Sequence, residues 1–408
     1  MSAFAGVRPA VAFELFGVCF FGECASQTSD ADRFIDPRRY ELEFSTGEGV
    51  SDKVADAIKG ASQLWVGRED AVAGSAGLIA RSKGDYRRIL AALYNSGYYG
   101  GSISITVNGR EAADIPTNVT LPYQSAVVVR VGPGDAYRFG RADIENAAPE
   151  TFDPHDVVEG ADKTLFLPGE IAKAGEIRKA GELAVEAWRQ QGYPKAEVSD
   201  RNATAVHPDR TLDVLLHMKP GPYAAYGELR VKGTERMDPE FVAYMAAIEP
   251  GKEFDPDDLK KAQKRLDRLG VFSSRRFVEA DKVSNGLLPL ELIVNEKKRR
   301  RIGLGATLSS VDGIGVETYW LHRNLFGRAE SLRLDAKVGG IGSTINPGEF
   351  DYFLGGTFVR PGVFNPDTDL TATLFGKREF NETYKETSTG ASLSLTNYYS
   401  DQLTFTGG

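Results

Sequence analysis

The sequence predicts an α+β fold: tandem β-α-α-β-β modules followed by the N-terminal part of an antiparallel transmembrane β-barrel. Three observations predict it. A helix–glycine–aromatic–strand unit is written three times before residue 297, hydropathy switches to period-two alternation from Arg300, and charge divides unevenly at Lys297. Of 49 basic and 57 acidic side chains, residues 298–408 hold twelve of each, so the net charge of −8 belongs to the front part.

A chain of 408 residues that is 41% apolar and 26% charged is too hydrophobic for intrinsic disorder and long enough for several domains. Its acidic balance argues against a dedicated nucleic-acid binder. No run approaches the roughly 18–20 apolar residues of a membrane-spanning helix, so any passage through a bilayer is by strands. Residues 1–38 stand apart as an N-terminal segment. The first 21 have the small and apolar residues of an export signal, but Arg8 is the only basic residue and Glu14 interrupts the stretch. A remnant of such a signal, a truncated start and a genuine absence all fit. Cys19 and Cys24 match neither Cys-x-x-Cys nor a zinc set, which leaves two thiols or one local disulfide.

The modules are expected at 39–132, 133–222 and 223–297. Residues 90–107, 184–200 and 262–280 each read as a helix end, then a glycine-aromatic step at Gly97-Tyr98, Gly192-Tyr193 or Gly270-Val271-Phe272, then a strand. A second landmark also repeats. Pro133 to Gly140 matches Pro220 to Gly227, 87 residues on. In the third module, residues 226–232 form a strand and Asp238-Pro239 opens a helix. Asp255-Pro256 opens another, with Asp as N-cap and Pro at the first helical position. Leu259, Ala262, Leu266 and Leu269 make its apolar stripe, and Gly270 stops it. Strands at 272–280 and 287–295 follow. Two helices cover one sheet face, so an edge stays open: a site for an incoming strand, or an edge protected by charge or neighbours.

The barrel is expected over 298–408. Ile302, Leu304, Ala306 and Leu308 alternate with Gly303, Gly305, Thr307 and Ser309, and the pattern continues through 314–320 and 331–338. Further strands are expected at 349–359, 369–380 and 387–399, with another starting at Gln402. Each is about 8–12 residues, the length of a tilted membrane strand. Aromatic residues near strand ends (Trp320, Phe350, Tyr352, Tyr398, Tyr399) suit an interfacial girdle. A soluble sandwich would alternate too. Six strands and a stub fall short of the roughly eight that close a membrane barrel, so either several copies assemble or, as the mid-strand ending favours, the chain continues past Gly408. The basic run 297–301 sits where the modules meet the membrane, and headgroup contact and a solvated linker are both open.

At these residues the chain resembles a known family. The tandem modules are similar to polypeptide-transport-associated (POTRA) domains, and residues 322–330, His-Arg-Asn-Leu-Phe-Gly-Arg-Ala-Glu, resemble a turn of the BamA/TamA outer-membrane superfamily. Three modules leading directly into a barrel resemble its TamA branch, the translocation and assembly module subunit. The resemblance spans roughly residues 39–408. It implies an outer-membrane protein with periplasmic POTRA domains that assists insertion or secretion of autotransporters and other barrel clients. Clients would pair with the third module's edge at Phe272, Arg276 and Val278. They would then meet a lateral seam at Ile302, Gly303, Leu304, Gly305, Ala306 and Leu308, where the glycines either let a backbone approach or are ordinary packing on a lumen face. The turn motif is Arg323, Asn324, Leu325, Phe326 and Gly327. Implied partners are unfolded outer-membrane and autotransporter clients, a TamB-like periplasm-spanning protein on the first module, and outer-membrane lipids. No nucleic acid, cofactor or metal is expected.

Enzyme motifs are absent: there is no Gly-x-Ser-x-Gly, His-Glu-x-x-His, Walker loop or dinucleotide fingerprint. The rival readings are a two-partner-secretion pore, a BamA-like general insertase and a soluble periplasmic scaffold.

Overall fold

A computed structural model describes residues 13–15, 18–21, 36–47, 50–158, 164–309, 313–341, 346–381, 384–400 and 402–408. Cys24 lies outside them. Two compact units divide the chain. One comprises Met1–Glu145, Gly160–Glu182 and Asp200–His217; the other comprises Asn146–Glu159, Leu183–Ser199 and Met218–Gly408. No described helix is long and apolar enough to cross a membrane, which does not bear on strands.

The first unit begins with a short hairpin, β1 (Phe13–Leu15) and β2 (Val18–Phe21). Its main body runs β3 (Pro37–Thr46), α1 (Asp52–Ala61), α2 (Gln63–Val66), β4 (Val72–Ala73), α3 (Gly74–Asn95), β5 (Ser102–Val107), β6 (Arg110–Glu111) and β7 (Gln124–Gly132). The sheet order is β4-β3-β7-β5-β6, with β3 and β7 parallel. Alternation sets its faces: Val127, Val129 and Val131 of β7 are buried against Ile79, Ile89 and Leu93 of α3. Among the polar side chains fully buried here, Ser62, Ser82 and Asp85, the last is a carboxylate. Asp85 accepts from Ser62 Oγ (2.6 Å) and from the Gln63 and Leu64 N–H groups (2.9 Å each), so α3 caps the start of α2.

The second module carries β8 (Arg138–Glu145), α4 (Ala174–Gln190), β9 (Glu197–Val206) and β10 (Thr211–Lys219), ordered β8-β10-β9. Where the repeat predicts a first helix, the described residues hold only a 3₁₀ turn, Pro154–Asp156.

In the second unit, β11 (Ala225–Lys232), α5 (Pro239–Ala246), α6 (Pro256–Arg268), β12 (Phe272–Glu279) and β13 (Leu287–Glu296) give the expected β-α-α-β-β order, paired β11-β13-β12. Asp238 and Asp255 cap the helices by accepting from Glu240 N (3.0 Å) and Asp257 N (2.7 Å). Ala262, Leu266 and Leu269 face Leu288, Leu290, Leu292 and Val294, which alternate along β13.

The repeated landmarks interlock in the same way twice. Gly97 and Gly192 both end a helix at positive φ (89° and 83°). The carbonyl of Gly97 accepts the Tyr137 N–H at 2.8 Å, and that of Gly192 accepts the Ala224 N–H at 3.0 Å. Gly134 and Gly221, at matching places in the repeat, share φ 73°.

The chain then forms one antiparallel sheet in sequence order: β14 (Arg300–Ser309), β15 (Gly313–His322), β16 (Ser331–Ile341), β17 (Asp351–Arg360), β18 (Thr368–Asn381), β19 (Tyr384–Tyr398) and β20 (Thr404–Gly407). Register sorts its faces. Leu304, Thr318, Ala336, Leu354 and Gly376 line up across one, while Gly305, Glu317, Lys337, Phe353 and Lys377 line up across the other. One face is an apolar band and the other mixes charge with glycine, as a lipid side and a wet side require.

Candidate functional site

Two of the strands that end a sheet carry the residues singled out in the sequence, β12 and β14. In the third module β12 pairs with β13 on one side only, which leaves backbone N–H and C=O groups for an extended chain. Arg276 is exposed and Val278 half-buried on that strand. Phe272 is only 4% exposed and packs in the module's core, so its side chain anchors the strand and its backbone alone can serve the edge. Neighbouring charges are engaged. Arg275 is ion-paired with Asp267, and Glu279 accepts Arg189 Nη2 at 2.6 Å and Lys195 Nζ at 3.2 Å.

The second edge is β14, whose 10 residues pair in unbroken register with β15 and, among the described residues, with nothing on the other side. Ile302, Leu304 and Leu308 are 73%, 80% and 85% exposed on the apolar face, and Ala306 lies among them. Of the two readings of Gly303 and Gly305, packing on the lumen face is the one the neighbouring side chains fit. A Cβ on Gly303 would run into the Tyr319 ring, and one on Gly305 would stand 3.0 Å from Glu317 Cγ. The room those glycines create is filled by cross-strand side chains of β15, not kept for an incoming backbone. Tyr319 is also stacked by the guanidinium groups of Arg333 (4.2 Å) and Arg301 (5.9 Å).

The turn 323–330 closes the β15–β16 hairpin at the end of the sheet where β14 begins. Asn324 adopts φ 58° and accepts the Ala329 N–H at 3.1 Å. Glu330 Oε2 accepts from Arg328 N (3.0 Å) and Phe326 N (3.3 Å), and Leu325 N donates to the Glu330 carbonyl at 2.8 Å. Gly327, at φ 103°, accepts the Asp238 N–H at 2.8 Å. Ala329 is buried in the third module's core, so the turn is packed into that module. Phe326 remains exposed. Arg323 donates to two carbonyls of the connecting segment, through its N–H to Arg299 (2.8 Å) and through Nη1 to Lys298 (3.0 Å).

Two further devices fix this junction. Glu296 Oε1 accepts the N–H groups of Glu235, Arg236 and Met237 at 2.8–2.9 Å. Burial acts to raise its pKa, but these donors outweigh it and hold the carboxyl below its usual range. On α6, Arg265 grips Asp367 with two bonds of 2.7 Å. Arg268 reaches Asp369 at 3.1 Å and the Pro366 carbonyl, and it lies over the Tyr398 ring at 4.3 Å. The β17–β18 turn is thereby clamped to the third module. The sequence reading missed these contacts, because nothing local links residues 102 positions apart.

Among the described residues no cluster of histidine, cysteine, aspartate and glutamate could hold a metal ion. The architecture is that of tandem POTRA domains joined to the wall of an outer-membrane barrel. No family model matches the chain. It is 20% identical over 367 residues, 89% of its length and 46% of the relative's, to the outer membrane protein assembly factor BamA of Neorickettsia risticii. It is 23% identical over 321 residues to BamA of Neisseria meningitidis serogroup B, covering 76% of this chain and 37% of that one. A crystal structure of BamA from Haemophilus ducreyi lacking POTRA domains 1–3 superposes with a TM-score of 0.50 at 16% identity, covering 66% of this chain and 49% of that one. In sequence and fold the chain is similar to the BamA/Omp85 superfamily, and it spans less than half the length of the curated relatives it matches. The modules lie in the periplasm and β14–β20 in the outer membrane.

Proposed function

We propose that the protein is an outer-membrane assembly and translocation factor that passes unfolded barrel and autotransporter clients to the membrane by strand pairing, without nucleotide or cofactor. The observation that carries this reading is the pair of strands with an unpaired side, β12 beside the junction and β14 at the start of the wall. An extended client satisfies its backbone on such edges whatever its side chains, which suits a factor with many substrates. Arg276 and Val278 would flank the client on β12, and Ile302, Leu304, Ala306 and Leu308 would face lipid beside it on β14.

Within that class we favour the TamA branch, because three modules precede the wall; the first would then receive a TamB-like periplasm-spanning partner. The sequence similarity to BamA favours a second reading, a general insertase. Deleting the gene and scoring surface display of autotransporters beside unrelated barrel proteins tests both. Selective loss of autotransporter display fits the first, loss of all clients fits the second, and unchanged display of every client refutes an assembly role.

A further inference from the structure

The five residues Lys297, Lys298, Arg299, Arg300 and Arg301 are all exposed. Among the described residues none of them enters an ion pair, whereas nearby Arg236 and Arg328 are matched by Glu235 and Asp238. Two carboxylates border the same hollow, Glu235 and Glu296. The first pairs with Arg236, and the second is occupied by three backbone N–H groups. Positive charge is therefore left over.

The segment is also held in place. Lys297 N donates to the Val271 carbonyl at 2.7 Å, and Arg323 fixes the carbonyls of Lys298 and Arg299. A loose, solvated linker would have no such ties. Position gives the third argument. Arg300 shares the outward face of β14 with Ile302, the first side chain of the apolar band, which lies opposite Trp320. At about 3.3 Å per strand residue, Arg300 lies ~7 Å along the strand from Ile302, which at the roughly 45° tilt of a membrane strand is ~5 Å in depth. That is the depth of the polar layer, roughly 5–8 Å thick on each side of a bilayer, and long cationic side chains extend the reach.

We propose that residues 297–300 form a belt that binds the phosphate headgroups of anionic phospholipids and sets the height at which the third module meets the membrane. An open ridge of separate cations fits a charged surface better than it fits a single small anion. The inference rests on β14–β20 being lipid-embedded but not on any client.

The test uses the full chain in neutral detergent, with retained lipid read by native mass spectrometry after titration with phosphatidylglycerol, with phosphatidylcholine, or with inorganic phosphate as competitor. The expected result is a preference for phosphatidylglycerol that falls at least tenfold in K297Q/K298Q/R299Q/R300Q, given roughly fivefold per charge at an anionic surface. R299K/R300K, which keeps the charge, should bind like the parent, and raising salt from about 0.05 M to about 0.5 M should erase the preference. Unchanged retention in the glutamine variant overturns the proposal, as does loss in the lysine variant. Competition by millimolar phosphate would overturn it too, by reassigning the site to a small anion. Heat-modifiable migration tells the two failures apart: its absence in the parent would remove the embedded wall and the belt with it, whereas normal migration with unchanged lipid retention in the glutamine variant would overturn the belt alone.

Discussion

Replacing Arg268 by alanine is the most direct test of the clamp between the third module and the β17–β18 turn. The Arg268 side chain is 17% exposed and that of Asp369 8%, so the pair is largely withdrawn from water. Removing one partner of a buried pair costs about 3–5 kcal/mol, because the other charge stays behind unpaired. Arg268 keeps some solvent contact, which favours the lower end, and the lost stacking on Tyr398 adds ~0.5–2 kcal/mol. Arg268→Ala is therefore expected to cost about 3–4 kcal/mol. Asp369→Ala should cost less, about 2 kcal/mol, since Arg268 retains the Pro366 carbonyl and approaches Asp367 at 3.9 Å. The double variant should fall short of the sum by ~1.5–2 kcal/mol, the signature of coupled neighbours. Urea unfolding of the full chain in detergent micelles measures all three, with hydrogen exchange over residues 361–369 reporting the junction itself. Additivity within about 0.5 kcal/mol would refute the clamp and reduce these contacts to surface decoration.

Glu296→Gln should cost about 2 kcal/mol at neutral pH, because three backbone donors lose a charged acceptor. Its folded pKa is depressed, so the stabilisation is complete above the usual carboxylate value of 4.5 and fades as pH falls below it; unfolding profiles of parent and variant should converge there. Asp85→Ala leaves Ser62 and two N–H groups unpaired in the first unit's core and should cost about 3 kcal/mol in urea unfolding. Gly303→Val puts side-chain atoms where the Tyr319 ring lies, so heat-modifiable migration on gels should be lost at a lower temperature than in the parent.

Local chemistry was the part of this molecule legible in sequence. Asp-Pro openings located α5 and α6, Gly270 located the end of the last, and period two located β14–β19, with Tyr398 at the end of β19 as expected. The second module escaped the pattern because its repeat is read from one helix end and one strand, which says nothing about what precedes them. The seam residues were found on β14 as expected, yet which reading of the glycines holds was hidden: Tyr319 faces Gly303 only through the register of a neighbouring strand 16 residues away. Phe272 shows the same limit. Its place next to Gly270 marks the strand's start, but only the packed core tells that its side chain turns inward. The clamp was least legible, since ion pairs across 101 and 102 residues leave no periodicity behind.

The filled space above Gly303 and Gly305 also bears on where a client strand would enter. Were β14 a weak strand because of its glycines, its hydrogen bonds to β15 would be the ones to open. Its 10 residues instead pair throughout with β15, and Tyr319 and Glu317 lie across the two glycines, so the glycines bind β14 to its neighbour. Arg323 and the packed turn at 323–330 hold the same hairpin at its base. Strand exchange at β14 would therefore proceed on its outer side, with β14 and β15 moving as one hairpin. Cysteine pairs across β14 and β15, such as Leu304→Cys with Thr318→Cys, should leave client assembly intact when oxidised; an oxidised pair that abolishes assembly would place the opening on the inner side and refute this account.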